Sequence, residues 1–264
     1  MSEFVVNVIF SLFLILKNGD CVVDNVDNEL KNLLIAGANE FNIPLNEEQA
    51  EKFFKYKNVL KEWNEKINLT AIEDDRDIII KHFIDSLSIL PLIKGDNIKL
   101  IDVGTGAGFP GIPVKIARES IEVTLLDSLD KRVKFLNEVI KEDGLTGIKA
   151  LHGRAEEKAV LPEFREKYDI CTARAVASLP VLIEYCLPFV KVGGCFIAMK
   201  GSSTEEIDSS KKALDIIGGK IEEVKDFNLP FTDSKRNVIV IRKFRQTPTK
   251  YPRKAGKPSK EPLI

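Results

Sequence analysis

The run Lys99-Leu100-Ile101-Asp102-Val103-Gly104-Thr105-Gly106-Ala107-Gly108-Phe109-Pro110-Gly111 leaves the chain few folds to choose from. Leu100, Ile101 and Val103 form an apolar, partly β-branched stretch too short for a helix, and it ends at glycines spaced two apart. That predicts a buried strand entering a tight loop. Glycine reaches positive φ and has no Cβ, so such a loop turns sharply and lets its backbone approach a ligand. Pro110 and the apolar stretch from Ile112 to Ala117 then open a helix. Strand, glycine loop and helix N-terminus in succession make a nucleotide-type site at the edge of a parallel sheet.

Two ligand classes compete for this loop. Gly106, Gly108 and Gly111 satisfy G-x-G-x-x-G, with Asp127 as the acidic residue expected about 20 positions on. No Gly-Lys-Ser or Gly-Lys-Thr follows the turn, which excludes the phosphate loop of NTPases. The wider pattern Asp102-x-Gly104-x-Gly106-x-Gly108 sets a carboxylate just ahead of the loop. A pyrophosphate gains nothing from a nearby anion, whereas the sulfonium and α-amino group of S-adenosylmethionine do. The pattern favours that methyl donor over a dinucleotide, and a purely structural loop is the third reading.

Strands and helices alternate beyond Lys99, which argues a mostly parallel sheet with helices on both faces. Predicted strands are Leu100–Val103, Val123–Asp127, Ile148–Leu151, Asp169–Ala173, Cys195–Met199, Ile221–Phe227 and Val238–Arg242, seven in all, with Gly193 and Gly194 forming a turn. Helices are expected over Lys131–Lys141, Leu179–Leu187 and Thr204–Ile217. Asp127 ends its strand where a carboxylate can bind ribose hydroxyls, or else cap the next helix. Arg174 and Lys200 stand at the carboxyl ends of two further strands, where open α/β sheets bind ligands.

Ahead of the sheet the signal is helical, with Leu30, Leu33, Leu34, Ala38 and Phe41 at helix spacing. Asn46 opens a second helix with Gln49 at the capping-box position, and Phe53, Tyr56, Leu60 and Trp63 form one apolar face. Core packing explains this stripe better than a base-stacking platform. A third helix is predicted from Asp77 to Leu90, carrying His82, Asp85 and Ser86, with His82 read as a packed or surface residue. The domain plan is an apolar extension over 1–24, a helical cap over 25–95, a catalytic α/β domain over 96–245 and a basic arm over 246–264.

The extension contains Phe4 to Leu16, which resembles a signal-peptide core but carries Glu3 where a basic region belongs. It is shorter than the roughly 20 apolar residues of a membrane span, so no stable membrane association is expected. A misplaced start is the favoured reading, with Val22, Val23 or Val26 as starting positions because no methionine lies between Met1 and Met199. A chain of 264 residues with 44% hydrophobic and 30% charged content is long enough for a full core. Cys21, Cys171, Cys186 and Cys195 form no C-x-x-C pair, and His82 and His152 are the only histidines, so neither a metal site nor a disulfide framework is expected. Such cysteines suit a reducing cytoplasm. Between Lys235 and Lys260 lie ten basic residues and no acid, a cluster hidden by the formal net charge of −1. Pro248, Pro252, Pro258 and Pro262 keep this arm extended and Tyr251 offers a stacking ring, so Lys250, Arg253, Lys254 and Lys257 are candidate contacts for a polyanion.

Several segments taken together resemble the RsmG (GidB) family. They are Glu62–Thr70, Lys81–Leu87, Asp102–Gly111, Leu126-Asp127-Ser128 with Lys131-Arg132, Arg154–Glu157, Arg174–Ala177 and Tyr251–Lys254. The resemblance runs from about Leu30 to the end, and the apolar extension departs from it. It implies a Rossmann-like class I methyltransferase that uses S-adenosylmethionine to methylate N7 of a guanine in the 530 loop of 16S ribosomal RNA, as a cytoplasmic monomer acting on free RNA or the 30S subunit. Carried over by motif, the cofactor contacts are Gly104, Phe109, Ala155, Glu156 and Arg174. Guanine N7 has an in-plane lone pair and no proton, so no general base is required; Arg174 and Lys200 are candidates for positioning the substrate. A non-catalytic RNA-binding protein of this fold and an NAD-dependent oxidoreductase are the alternatives.

Overall fold

The computed structural model describes residues 26–174, 177–201 and 206–264. Within them the strands β1 (Lys99–Val103), β2 (Glu122–Asp127), β3 (Ile148–His152), β4 (Tyr168–Arg174), β5 (Val190–Lys200), β6 (Gly219–Asn228) and β7 (Lys235–Lys243) form one sheet. Its order is β3-β2-β1-β4-β5-β7-β6. The first five strands run parallel, and β7 lies antiparallel to both β5 and β6. The chain lays β2 and β3 to one side of β1 and β4 to the other, so the order reverses between β1 and β4. Ligands of open α/β sheets bind at such a switch point, outside the carboxyl ends of the strands. Phe4–Leu16, Val22 and Val23 lie outside the described residues.

Side-chain alternation divides the sheet between two cores. Leu100, Val123, Leu125, Ile197, Val238 and Val240 join the first, with α5 (Gly111–Ala117) and α6 (Asp130–Glu142). Ile101, Val103, Leu126, Ala173, Phe196 and Ile239 join the second, with α8 (Leu179–Cys186) and α10 (Lys211–Ile217). The predicted cap consists of α1 (26–39), α2 (Glu47–Ile67) and the helical stretch that follows, and it buries its apolar face in the first core. α2 begins with the expected reciprocal capping box between Asn46 and Gln49. Phe53, Tyr56 and Leu60 are fully buried, so the aromatic stripe is core.

Three expectations are corrected. The third helix is not uniformly α: α3 (Asp75–Ile78) widens into a π-helical stretch (Ile79–Ile84) and tightens again as α4 (Asp85–Leu87). Gly193 and Gly194 do not form a turn ahead of the strand; β5 starts at Val190, kinks at Gly193 (φ 86°) and resumes pairing at Cys195 after a register shift. A side chain at Gly194 would press on the Asp169 carbonyl. The helix expected to end at Ile217 is broken, with α9 (Glu206–Ser209) and α10 separated at Ser210.

The C-terminal segment also departs from an extended arm. Tyr251 and Leu263 pack into the second core, and Lys257–Lys260 form a short helix, α11. Tyr251 is buried, so its ring offers no stacking surface. Arg165 donates to the carbonyls of Thr247 (2.7 Å) and Tyr251 (2.9 Å). No helix among the described residues is long and apolar enough to cross a membrane.

Candidate functional site

The glycine loop is built around a buried acid. Asp102 is fully buried and its Oδ2 accepts hydrogen bonds from Thr105 Oγ1 (2.6 Å) and the Gly111 N–H (3.0 Å), while Oδ1 accepts from Thr172 Oγ1 (3.2 Å). Burial pushes its carboxyl up to about 6, against the pull of those donors. The expected role of Asp102 as a counter-charge facing a cationic ligand is therefore corrected: its carboxylate closes the loop onto β4 and α5. Gly104 and Gly106 hold φ of 69° and 61°, and a Cβ at Gly106 would project into open space. From the cap, Tyr56 donates its hydroxyl to the Ala107 carbonyl and braces the loop from behind.

A 150 Å³ cleft lies across the carboxyl ends of β1, β2 and β3, lined by Gly104, Ser128, Arg154, Ala155, Glu156 and Tyr185 among others. Gly104 and Ala155 thus line one cleft. Asp127 ends β2 beside Ser128, but its carboxylate is 2% exposed and takes hydrogen bonds from the Gly106 N–H (2.9 Å) and the Leu129 N–H (2.9 Å), with Arg132 at 3.5 Å. It ties the glycine loop to the start of α6. Glu156 is also committed, because its Oε1 accepts the Gly256 N–H at 2.9 Å. The cleft beside Gly104, the open backbone at Gly106 and the flanking strand ends fit a nucleoside with a short polar extension, as S-adenosylmethionine has.

Arg174 marks a second depression, of 310 Å³, between the cap and the ends of β4, β5 and β7. Its guanidinium donates to the Lys81 carbonyl (3.2 Å), to Asp85 Oδ2 (3.1 Å) and to His82 Nδ1 (3.2 Å), and lies 4.7 Å from the centre of the Phe109 ring. Phe109 stacks on His82 at 4.5 Å, so its ring is packed beneath the depression and only 5% exposed. An arginine only donates, so His82 Nδ1 is the acceptor and Nε2 carries the proton that is given to Thr70 Oγ1 (2.8 Å). Burial, and then the Arg174 charge, pull the His82 imidazole down to about 3. Asp85 Oδ1 holds Arg236 Nε at 2.9 Å, so one buried carboxylate carries two arginines. Lys200 reaches the rim but is pinned by the Ala177 carbonyl (2.9 Å) and Glu206 (2.9 Å). Lys81 and Arg236 complete the basic lining.

The sequence reading missed Asp85 and Arg236 as partners of Arg174. A carboxylate within the apolar run Phe83-Ile84-Asp85-Ser86-Leu87 was the available signal, since a buried acid requires a cation. Of the basic arm, Lys250, Lys254 and Lys257 are exposed, but Arg253 is corrected. It forms a forked pair with Glu184, Nη2 to Oε2 at 2.6 Å and Nε to Oε1 at 2.9 Å, and this removes its charge from the surface. Among the described residues no group of three or more acids, histidines or cysteines is placed to hold a metal ion.

A structure of a branched-chain polyamine synthase variant from Thermus thermophilus is similar, with a TM-score of 0.50 at 16% identity over 62% of this chain and 56% of that one, a likeness of fold. The ribosomal RNA small subunit methyltransferase G of Acetivibrio thermocellus is 70% identical over 241 residues, covering 91% of this chain and all of the relative. That of Alkaliphilus oremlandii is 53% identical over 89% of this chain and 99% of its own length. A family model described as rRNA small subunit methyltransferase G (GidB) matches residues 49–239, from α2 through β7, and to that family the chain belongs.

Proposed function

We propose that this methyltransferase transfers the methyl group of S-adenosylmethionine to N7 of a guanine in the 530 loop of 16S ribosomal RNA, acting in the cytoplasm as a monomer on free RNA or the 30S subunit. The observation that carries the reading is the presence of two depressions along the carboxyl ends of the parallel strands, one glycine-lined at β1, β2 and β3 and one basic at β4 and β5. The second suits an anionic polymer presenting a base. The chain's own titratable groups support an acceptor that needs no deprotonation: His82 is held neutral with both nitrogens engaged, and Asp85 is spent on two arginines.

Gly104, Ser128 and Ala155 would hold the donor against the ends of β1, β2 and β3, with Glu156 lining the same cleft and the Asp127 carboxylate tied to the glycine loop. Bound there, S-adenosylmethionine supplies an electrophilic methyl group on a sulfonium. A guanine held by the basic depression would offer its N7 lone pair to that methyl group, the new N–C bond replacing the C–S bond and the positive charge passing from sulfur to the purine ring. Arg174, its donors taken by Asp85, His82 and the Lys81 carbonyl, sets the floor of the depression, and Lys81, Lys200 and Arg236 on its lining would meet backbone phosphates and the guanine O6 edge, which converts binding energy into alignment.

Incubation with radiolabelled donor and either unmodified 30S subunits or naked 16S RNA, followed by base mapping, tests the reading. One labelled guanine in the 530 loop is expected, and label on another base or none overturns it. S-adenosylmethionine should also raise the thermal midpoint while NAD leaves it unchanged.

A further inference from the structure

The C-terminal segment does more than fill the second core, because its last residues bond to two side chains of the cleft wall. Glu156 sits in the cleft, is nearly fully buried, and gives its Oε1 to the Gly256 N–H at 2.9 Å. Tyr185 lines the same cleft from α8 and pairs its hydroxyl with Ser259 Oγ at 2.6 Å. Gly256 reaches this position in a left-handed conformation, φ 78°, at the start of α11. Upstream, the segment is fixed to the body by the forked pair of Arg253 with the buried Glu184, whose Oε1 also accepts the Arg253 N–H at 2.8 Å.

We propose that residues 248–264 are a positioning element for the cofactor. By holding Glu156 and Tyr185 from behind, they set the wall against which the nucleoside end of S-adenosylmethionine docks. The inference rests on assigning the cleft to that cofactor. Glu156 opens no path of its own to the ligand while its carboxylate is turned to Gly256; what it contributes is the placement of the Arg154–Ala155 backbone on the cleft side. The wall's own helix α7 (Ala155–Lys158) has four residues and packs into the second core through Ala155 and Ala159, so the bonds to Gly256 and Ser259 are what fix its polar side, and a near-attack geometry is sensitive to shifts of about 1 Å.

Calorimetric titration of the full chain with S-adenosylmethionine, paired with steady-state methylation of 30S subunits, tests this. Glu156→Ala is expected to weaken the cofactor Kd five- to fiftyfold, whereas Glu156→Gln keeps an acceptor for the Gly256 N–H and stays within threefold of the parent. Arg253→Ala lies outside the cleft and should weaken the Kd by a comparable factor, and the double variant with Glu156→Ala should be no weaker than its weaker parent. The KM for 30S subunits should move less than twofold in all of them. Should Arg253→Ala not unfold cooperatively, the exposed Ser259→Ala replaces it, with a two- to fivefold loss expected. A folded tail-side variant with the parental cofactor Kd, or additive losses in the double variant, overturns the proposal. A parent chain that shows no heat with S-adenosylmethionine overturns the cofactor assignment instead, so the two failures are distinct.

Discussion

At the scale of single residues, burial sets three ionisations against one another. His82 titrates near 3 in the folded chain and near 6.5 unfolded, so its neutral form contributes stability that is fully present above about 6.5 and is lost as pH falls toward 3. Asp143 behaves in the opposite sense. It ends α6 nearly buried, neither carboxylate oxygen has a hydrogen-bond partner, and desolvation pushes it up to about 7. Its contribution is present below the unfolded value of 3.8 and is lost as pH rises through 7. Asp102 acts in the same sense but its donors offset part of the cost. Asp143→Asn should therefore leave stability at pH 3 nearly unchanged and raise it at pH 8 by about 1–3 kcal/mol, measured by urea denaturation. Equal gains at both pH values would mean that the asparagine improves packing and that charge is not the cause.

At the scale of elements, α2 links the cap to the glycine loop. Tyr56 stacks on Phe83 at 5.3 Å, lies 5.5 Å from Phe109 and donates its hydroxyl to the Ala107 carbonyl. Tyr56→Phe keeps the ring and strands that carbonyl, so unfolding free energy should drop by about 1–2 kcal/mol and the cofactor Kd should rise along with it. An unchanged denaturation curve would reduce the cap to packing alone. The same helix shows what a sequence discloses. Its start is encoded within four residues by the Asn46–Gln49 box, and its buried face by the spacing of Phe53, Tyr56 and Leu60. The parallel strands were equally legible, because burial on both faces leaves short continuous apolar runs. What was not legible depends on distant partners. The charge of Arg253 could be counted, but its neutralisation by Glu184, 69 residues away, has no local signature. Nor does the union of Arg174 with Asp85 and Arg236, which come from a helix and a strand 151 residues apart.

At the scale of the whole molecule, pairing decides which cations are left for RNA. Ten basic residues crowd the stretch from Lys235 to Lys260, yet Lys243 is buried against Glu166 at 2.7 Å with its amine pulled down to about 8, Arg253 is spent on Glu184, and Arg236 is shared with Asp85. Lys250, Lys254 and Lys257 stay exposed, and the 3.5 Å contact of Lys257 with Glu261 lies in solvent, where it is worth little. Each phosphate neutralised on a single strand releases counterions and adds about −0.7 to the slope of log K against log salt, so three engaged lysines account for roughly −2. Replacing Lys250, Lys254 and Lys257 by alanine should weaken 30S binding and make that slope shallower by about 2. It should leave the thermal midpoint and the S-adenosylmethionine Kd at parental values, since none of the three side chains bonds to the cleft wall. Arg253→Ala should do the reverse, lowering the midpoint and the cofactor affinity while the salt slope keeps its parental value. A triple-lysine variant with the parental slope would shift the phosphate contacts to Lys81, Lys200 and Arg236 around the basic depression, and the C-terminal segment would then serve the cofactor alone.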